Sequence, residues 1–454
     1  MQLTLKSVLL LTLTSVALLR SYSALSSTDI FSVYQAKAPQ GCVDKDIGKG
    51  KIGLAELIEI GLCNNPSLNR GYMQVKVSES SLGKSKSEYL PQISGTAGIS
   101  DTFSKNENLG TSKSDPYNGN IALSWLLYDF GGRSARIERE RAYLNQTQFT
   151  YNALLHDTIL AINNAYLDLL SSQEVLKSAK TSRGSYQKSF EESSRRYELG
   201  LVSLSDKLQA KTSYEQSKLE VVTAENTVKQ NQGNLAILLN LSPDTTFNLK
   251  SPSKNDDITR LATGTQTVQD LMNLAIELRP EIKSSQSAVK AAKENIDVAK
   301  SLNMPTISAT GRLTFNDDWK YHNPYEYGSS AGFNVSVPLF TGFSNTYNIY
   351  QAKYGYHQSK YGLIETQDMV KNEVWASFQN YNTAVTAYDI SQKVLESAEE
   401  AERVAFAMYQ VGKGDILTLL TASSNLASAR KEVIVAFYAV LKSKSNLYRA
   451  IGRF

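Results

Sequence analysis

The chain has 454 residues, 41% hydrophobic and 20% charged, a balance outside the disordered and collagen-like classes. Its 48 basic and 44 acidic side chains leave a net charge of +4, so charge implies no nucleic-acid partner. Two cysteines and three histidines, widely scattered, give little material for a zinc site, and ten prolines with 9% aromatics point to a long, mainly helical chain.

At the N-terminus Met1 and Lys6 lead into an apolar stretch from Ser7 to Leu19, followed by the small residues Ser21 and Ser23. The stretch is too short to span a membrane and has the form of a secretory signal, residues 1–23; a buried N-terminal helix is the other reading of the same residues. In an exported chain Cys42, within the segment 24–53, and Cys63 form a candidate disulfide. It would close a loop of about 20 residues and add ~3 kcal/mol, the alternative being two buried thiols.

From Leu54 onward the sequence is written twice, with features recurring at an offset of about 212 to 214 positions. Asn65-Pro66 answers to Arg279-Pro280, and Leu90-Pro91-Gln92-Ile93-Ser94 to Met304-Pro305-Thr306-Ile307-Ser308. Leu127-Tyr128-Asp129 answers to Leu339-Phe340-Thr341, and Tyr197-Glu198-Leu199-Gly200 to Tyr409-Gln410-Val411-Gly412. The order is kept throughout, which predicts two tandem structural repeats, 54–240 and 268–454. Between them, residues 241–267 carry Pro243, Pro252, Asn255, Asp256 and Asp257 and read as a surface linker.

Each half contributes two strands. Ile93, Ala97, Ile99 and Phe103 alternate with Gln92, Ser94, Thr96, Ser100 and Thr102, and the same alternation runs through Ile121–Leu127, Ile307–Phe315 and Phe333–Leu339. The polar inserts Ser104–Asn118 and Asn316–Ser329 read as exposed loops. Aromatics gather near the strand ends and inserts (Phe103, Trp125, Tyr128, Phe315, Trp319, Tyr321, Tyr325, Tyr327), as at a membrane interface. Alternation alone equally fits one face of a soluble β-sandwich. In lipid, unpaired backbone edges are not tolerated, so a membrane reading requires several chains to pool their strands into one closed barrel.

The rest of each half reads as long helix. Arg133–Leu199 contains no proline and one glycine, Gly184, and Ser344–Val411 contains no proline. Runs of about 67 residues make roughly 100 Å of helix at 1.5 Å per residue, several times a globular helix. Gly200 and Gly412-Lys413-Gly414 mark turns, after which helices return over Leu204–Leu239 and Ile416–Ile451. Leu419, Leu426, Val433, Val440 and Leu447 repeat every seven positions, a coiled-coil seam. Val374, Phe378, Tyr381, Val385, Tyr388 and Leu395 match it on the outbound helix, as do Leu155, Ile159, Ile162, Tyr166 and Leu169 in the first half.

In this order, and twice, the motifs resemble the TolC family of outer-membrane export channels from about Leu54 to Phe454. They are Asn65-Pro66 with Arg279-Pro280, Leu90-Pro91 with Met304-Pro305, Leu127-Tyr128-Asp129-Phe130-Gly131-Gly132-Arg133, Val337-Pro338-Leu339-Phe340-Thr341-Gly342 and the two Tyr-x-x-Gly turns. The run Cys63-Asn64-Asn65-Pro66, preceded by Cys42, looks more like the members that export protein toxins, such as the CyaE type, than like drug-efflux members. The resemblance implies a homotrimer that pools its strands into one outer-membrane barrel, in contact with outer-membrane lipid, and its helices into one periplasmic tunnel. A periplasmic adaptor and an inner-membrane ABC or proton-driven transporter would dock at its closed tip.

The resemblance also assigns residues. Two acidic rings that constrict the tip in the best-known member fall here on Thr418 and Thr421, a departure that puts a strong cation filter in doubt. Asp415 and Asp206 either supply negative charge nearby or serve only as helix N-terminal charge. Tyr409 and Ser205 match positions that hold the family's aperture closed through hydrogen bonds, and Gly200, Leu201, Gly412 and Lys413 lie at the adaptor-docking tips. No catalytic constellation accompanies these motifs: Asp129-Phe130-Gly131 lacks every other kinase element, and His156, His322 and His357 lack ligand partners. The expectation is a non-enzymatic exit duct, without cofactor, for type I protein secretion. Drug efflux is the alternative within this class, and a soluble periplasmic coiled-coil scaffold the alternative outside it.

Overall fold

The computed structural model describes residues 50–100, 102–106, 110–114, 116–251, 267–318 and 323–453. The expected signal 1–23, Cys42, His322, Trp319 and Tyr321 lie outside the described residues, as do residues 252–266 of the linker.

Each half opens on a pair of short helices divided by proline. Helices α1 (Leu54–Asn64) and α2 (Pro66–Ser87) have 11 and 22 residues. The residue before Pro66, Asn65, is held extended at φ −65° and ψ 120°, because the proline ring excludes the helical conformation there. Asn65 then caps α2, its Oδ1 accepting from the backbone N–H of Ser67 at 2.9 Å and Leu68 at 3.3 Å. Helices α5 (Val268–Leu278) and α6 (Pro280–Ser301) have the same lengths, 11 and 22, and Arg279 between them is likewise extended.

The long helices follow the sequence closely. Helix α3 (Gly132–Glu198) and α7 (Ser344–Gln410) each have 67 residues, and the returning α4 (Leu204–Leu238) and α8 (Ile416–Ala450) each have 35. Both returning helices end in a left-handed residue, Asn240 and Gly452, whose φ angles are +57° and +77°.

The chain consists of two compact units. The described residues of the first, Met73–Gln148 and Ser284–Gly362, hold a four-stranded antiparallel sheet in the order β1-β4-β5-β6. Its strands are β1 (Gln92–Ile99), β4 (Pro116–Tyr128), β5 (Thr306–Asp318) and β6 (Asn323–Ser336). Strands β2 (Thr102–Asn106) and β3 (Gly110–Ser114) pair only with each other. The register places odd-numbered residues opposite one another, as in Ile93 to Leu123, Ile121 to Leu313 and Ala309 to Phe333. The apolar half of the alternation therefore gathers on one face. None of the described residues covers it: Ile93 is 72% exposed and Phe333 80%.

The inserts differ from expectation. Ser104–Asn118 holds most of the β2–β3 ribbon, which starts at Thr102, and β5 and β6 run through Asn316–Ser329 to within four residues of each other. Strand pairing draws on backbone groups that every residue but proline supplies in full, so a polar composition does not make a loop. Conversely, Val337–Leu339 lies beyond β6, whose end is set by Pro338, which has no N–H for the ladder.

The described residues of the second unit, which spans Ala38–Tyr72, Phe149–Lys283 and Leu363–Phe454, are mainly helical and hold three apolar cores. The first joins Leu57, Ile162, Leu169, Leu235 and Leu239, and the second joins Leu271, Val374, Tyr381, Leu447 and Ile451. Position by position the two correspond. The expected seam of α8 is buried at Leu419, Leu426, Val440 and Leu447 and half-buried at Val433. One expectation fails in the linker: Phe247 and Leu249 are buried in the first core, where the backbone around Leu249 pairs with Ile52.

Candidate functional site at the paired helix turns

The third core surrounds the two turns. Gly200 and Gly412, at φ +70° and +76°, take the left-handed conformation that a side chain resists. At the first turn Leu201 N–H donates to the Arg196 carbonyl and Gly200 N–H to that of Tyr197, both at 2.9 Å. At the second, Lys413 donates to Met408 at 2.9 Å and Gly412 to Tyr409 at 3.1 Å. Both are Schellman caps, satisfying the last carbonyls of α3 and α7 in the same way.

The helices that leave the turns are capped differently. Ser203 Oγ accepts from Asp206 N–H at 3.2 Å, and Asp206 Oδ2 accepts from Ser203 N–H at 3.1 Å, a reciprocal capping box. Asp415 is itself the cap of α8. It accepts from Thr418 N–H at 2.7 Å and Thr418 Oγ1 at 3.1 Å, and these bonds, the backbone one first, hold its carboxyl below the usual range. Asp206 and Asp415 thus neutralise helix N-termini with carboxylates that Thr418 and the backbone already engage.

Tyr409 is 1% exposed, packed among Tyr186, Ala210, Leu419 and the partly buried Phe190 and Tyr214. Its hydroxyl has no hydrogen-bond partner among the described residues. Ser205, exposed on α4, accepts from Gln209 of its own helix, at 3.4 Å, and lines a groove with Leu204, Leu208, Leu417, Leu420 and Thr421. The structure therefore brings Ser205 to Thr421, and Asp415 to Thr418, but does not join Tyr409 to Ser205 within the chain. Gly200, Leu201, Gly412 and Lys413 are all exposed at the turns. Cys63 lies in α1, and its pairing with Cys42, which is outside the described residues, stays a proposal.

Sequence reading missed Arg196. Its guanidinium carbon lies 5.0 Å from the centre of the Tyr409 ring, and its Nη1 donates to the Tyr409 carbonyl. The available signal was a basic pair, Arg195-Arg196, in the last turn of α3, where a cation meets the carbonyl end of the helix.

A second polar concentration, also unread in the sequence, lies at the α5–α6 corner. Arg279 and Arg449 are shared among Glu281, Glu373 and Asp157, with Arg279 at 2.8 Å from Glu281 and Arg449 at 2.6 Å from Glu373. Arg449 also meets Asp157 at 2.6 Å and Glu281 at 2.8 Å. Burial pushes the Glu281 carboxyl up, but the bonds and charge of Arg279, aided by Arg449, outweigh it and hold the group below its ordinary value. Burial pushes His156, near this cluster, below the usual imidazole range, with Glu281 opposing. No group of metal-ligating side chains occurs among the described residues.

Comparison with known proteins follows the same architecture. The family model described as outer membrane efflux protein matches residues 57–241 and 271–453. Protein CyaE of Bordetella pertussis is 26% identical over 409 residues, covering 87% of this chain and 82% of its own. Outer membrane protein TolC of Vibrio cholerae is 26% identical over 408 residues, covering 88% and 90%. The structure of the outer-membrane channel OprN superposes with a TM-score of 0.77 at 19% identity, over 88% of this chain and 90% of that one.

Proposed function

Since this chain belongs to the outer membrane efflux protein family, we propose that it is the exit duct of a tripartite type I secretion system, a passive homotrimeric channel through which protein cargo leaves. Residence in the outer membrane and the role of an efflux channel go with the family; trimer, barrel, cargo and partners are the finer reading.

One observation carries that reading: the sheet exposes its apolar face and ends in two unpaired edges, β1 and β6. Four strands cannot close by themselves in lipid, whereas three copies joined edge to edge leave no backbone group unpaired. The equal helix lengths in the two halves, 11, 22, 67 and 35, support two tandem units, so that a trimer lines its tunnel with similar helices all round. Residues 1–23 direct export, and a periplasmic adaptor and an inner-membrane ABC transporter supply cargo and energy at Gly200, Leu201, Gly412 and Lys413. Ser205, Tyr409, Asp206, Asp415, Thr418 and Thr421 form the aperture, with hydroxyls where acidic rings would filter cations. Likeness to CyaE and the Cys63-Asn64-Asn65-Pro66 run favour protein cargo over drugs.

The full chain, extracted in detergent, is expected to be a trimer and to conduct in planar bilayers. A monomer that stays dispersed in buffer without detergent and never conducts would return the chain to the periplasmic scaffold. Deleting the gene should remove a protein from the culture medium; an unchanged medium together with dye retention in the cells would establish drug efflux instead.

A further inference from the structure

Arg196 takes part in both helix caps at once. Its carbonyl accepts Leu201 N–H in the first turn, while its side chain donates to the Tyr409 carbonyl, which also accepts Gly412 N–H in the second. The guanidinium therefore sits between the carbonyl ends of α3 and α7, two negative dipole ends that repel each other without a cation between them. The guanidinium lies close over the second turn: a Cβ at Gly412 would come within 3.1 Å of Arg196 Nη2. Tyr409 offers its ring to the same cation from an apolar nest, where such contacts are stronger than in water.

Among the described residues the equivalent place is built differently. Met408 holds the position corresponding to Arg196 and is 51% exposed, and Tyr197, corresponding to Tyr409, has the ammonium of Lys207 at 5.1 Å from its ring centre. The joint is also incompletely satisfied. Arg196 Nε, Tyr409 Oη, Ser193 Oγ and Ser194 Oγ are buried without a partner among the described residues, which lowers the cost of leaving the arrangement.

We propose that Arg196 is the latch of the aperture, clamping the two turns of a protomer through the carbonyl and ring of Tyr409 and not through its hydroxyl. The inference rests on the channel reading. Any movement that separates the tips of α3 and α7 must first break this clamp.

The test is single-channel recording of the purified trimer. Arg196→Met, which installs the side chain of the other turn, is expected to raise the open fraction about tenfold, the shift that losing one charge-assisted hydrogen bond gives a two-state equilibrium. Tyr409→Phe keeps both latch contacts and is expected to open less than Arg196→Met. Arg196→Lys, which keeps the charge but not the planar fork, is expected to raise it about threefold and serves if the Met variant does not assemble. Wild-type gating in the Met variant, or in the Lys variant if that alone assembles, overturns the latch, and so does a Tyr409→Phe channel as open as Arg196→Met. A wild-type trimer that never conducts sinks the channel reading itself.

Discussion

The corner at Asn65 and the corner at Arg279 do one job with opposite chemistry. Asn65 Nδ2 donates to the Leu238 carbonyl at 3.1 Å, and Arg279 Nη1 to the Ala450 carbonyl at 3.4 Å, so each ties a Pro-started helix to the last turn of a returning helix. Around Asn65 the tie is neutral. Around Arg279 it has grown into a five-member ion network, in which the Arg279 side chain is only 4% exposed. The sheet-to-helix junctions show the trade reversed. Arg133 donates to the Leu126 and Leu127 carbonyls at 2.6 and 2.8 Å and stacks 4.3 Å from the Tyr89 ring centre, whereas the matching Asn345 makes a neutral bond to Leu302 at 3.0 Å. Backbone geometry is common to the two halves; the chemistry that secures it is not.

That contrast can be broken by mutation. Arg279→Ala should cost about 2–3 kcal/mol, because it removes charge-assisted bonds from a buried guanidinium to Glu281 and Glu373, carboxylates that stay partly exposed to water, whereas Asn65→Ala should cost about 1 kcal/mol, the loss of a neutral cap. Thermal unfolding of the detergent-solubilised protein checks both, and equal costs would dissolve the distinction. Packing offers a second, smaller difference. A Cβ added at Gly61 collides with Ile162, while the matching pair in the second half is Ala275 with Val374, the volume shifted from one partner to the other. Gly61→Ala should therefore destabilise by about 1–3 kcal/mol, and adding Ile162→Val should restore most of it; no rescue would mean the cores are not packed alike.

The smallest effect is that of pH. Because the folded Glu281 carboxyl lies below its ordinary value of 4.5, its contribution is fully present above that pH and is lost as pH falls through the folded value. Melting scanned downward from pH 6 should show a loss below about pH 4.5 that Glu281→Gln removes. A scan identical in both proteins would assign the acid sensitivity elsewhere.

Much of this was legible in one dimension. Helix lengths, the turns at Gly200 and Gly412, the proline corners and the odd-numbered apolar face follow from period, proline and glycine, which act on the backbone within a few residues. The strand limits were not legible in the inserts, since backbone pairing takes no notice of polar side chains. Leu249 was read as linker because nothing in its own neighbourhood announces Ile52.

The sequence by itself determined that two long helical hairpins and four alternating strands would form, because those choices are local. Only the tertiary structure decided that Arg196 meets Tyr409 and that Arg279 and Arg449 share three carboxylates. Long charged side chains choose among partners by distance in space, and residues such as Arg196 and Tyr409 come together only when the helices between them have folded back.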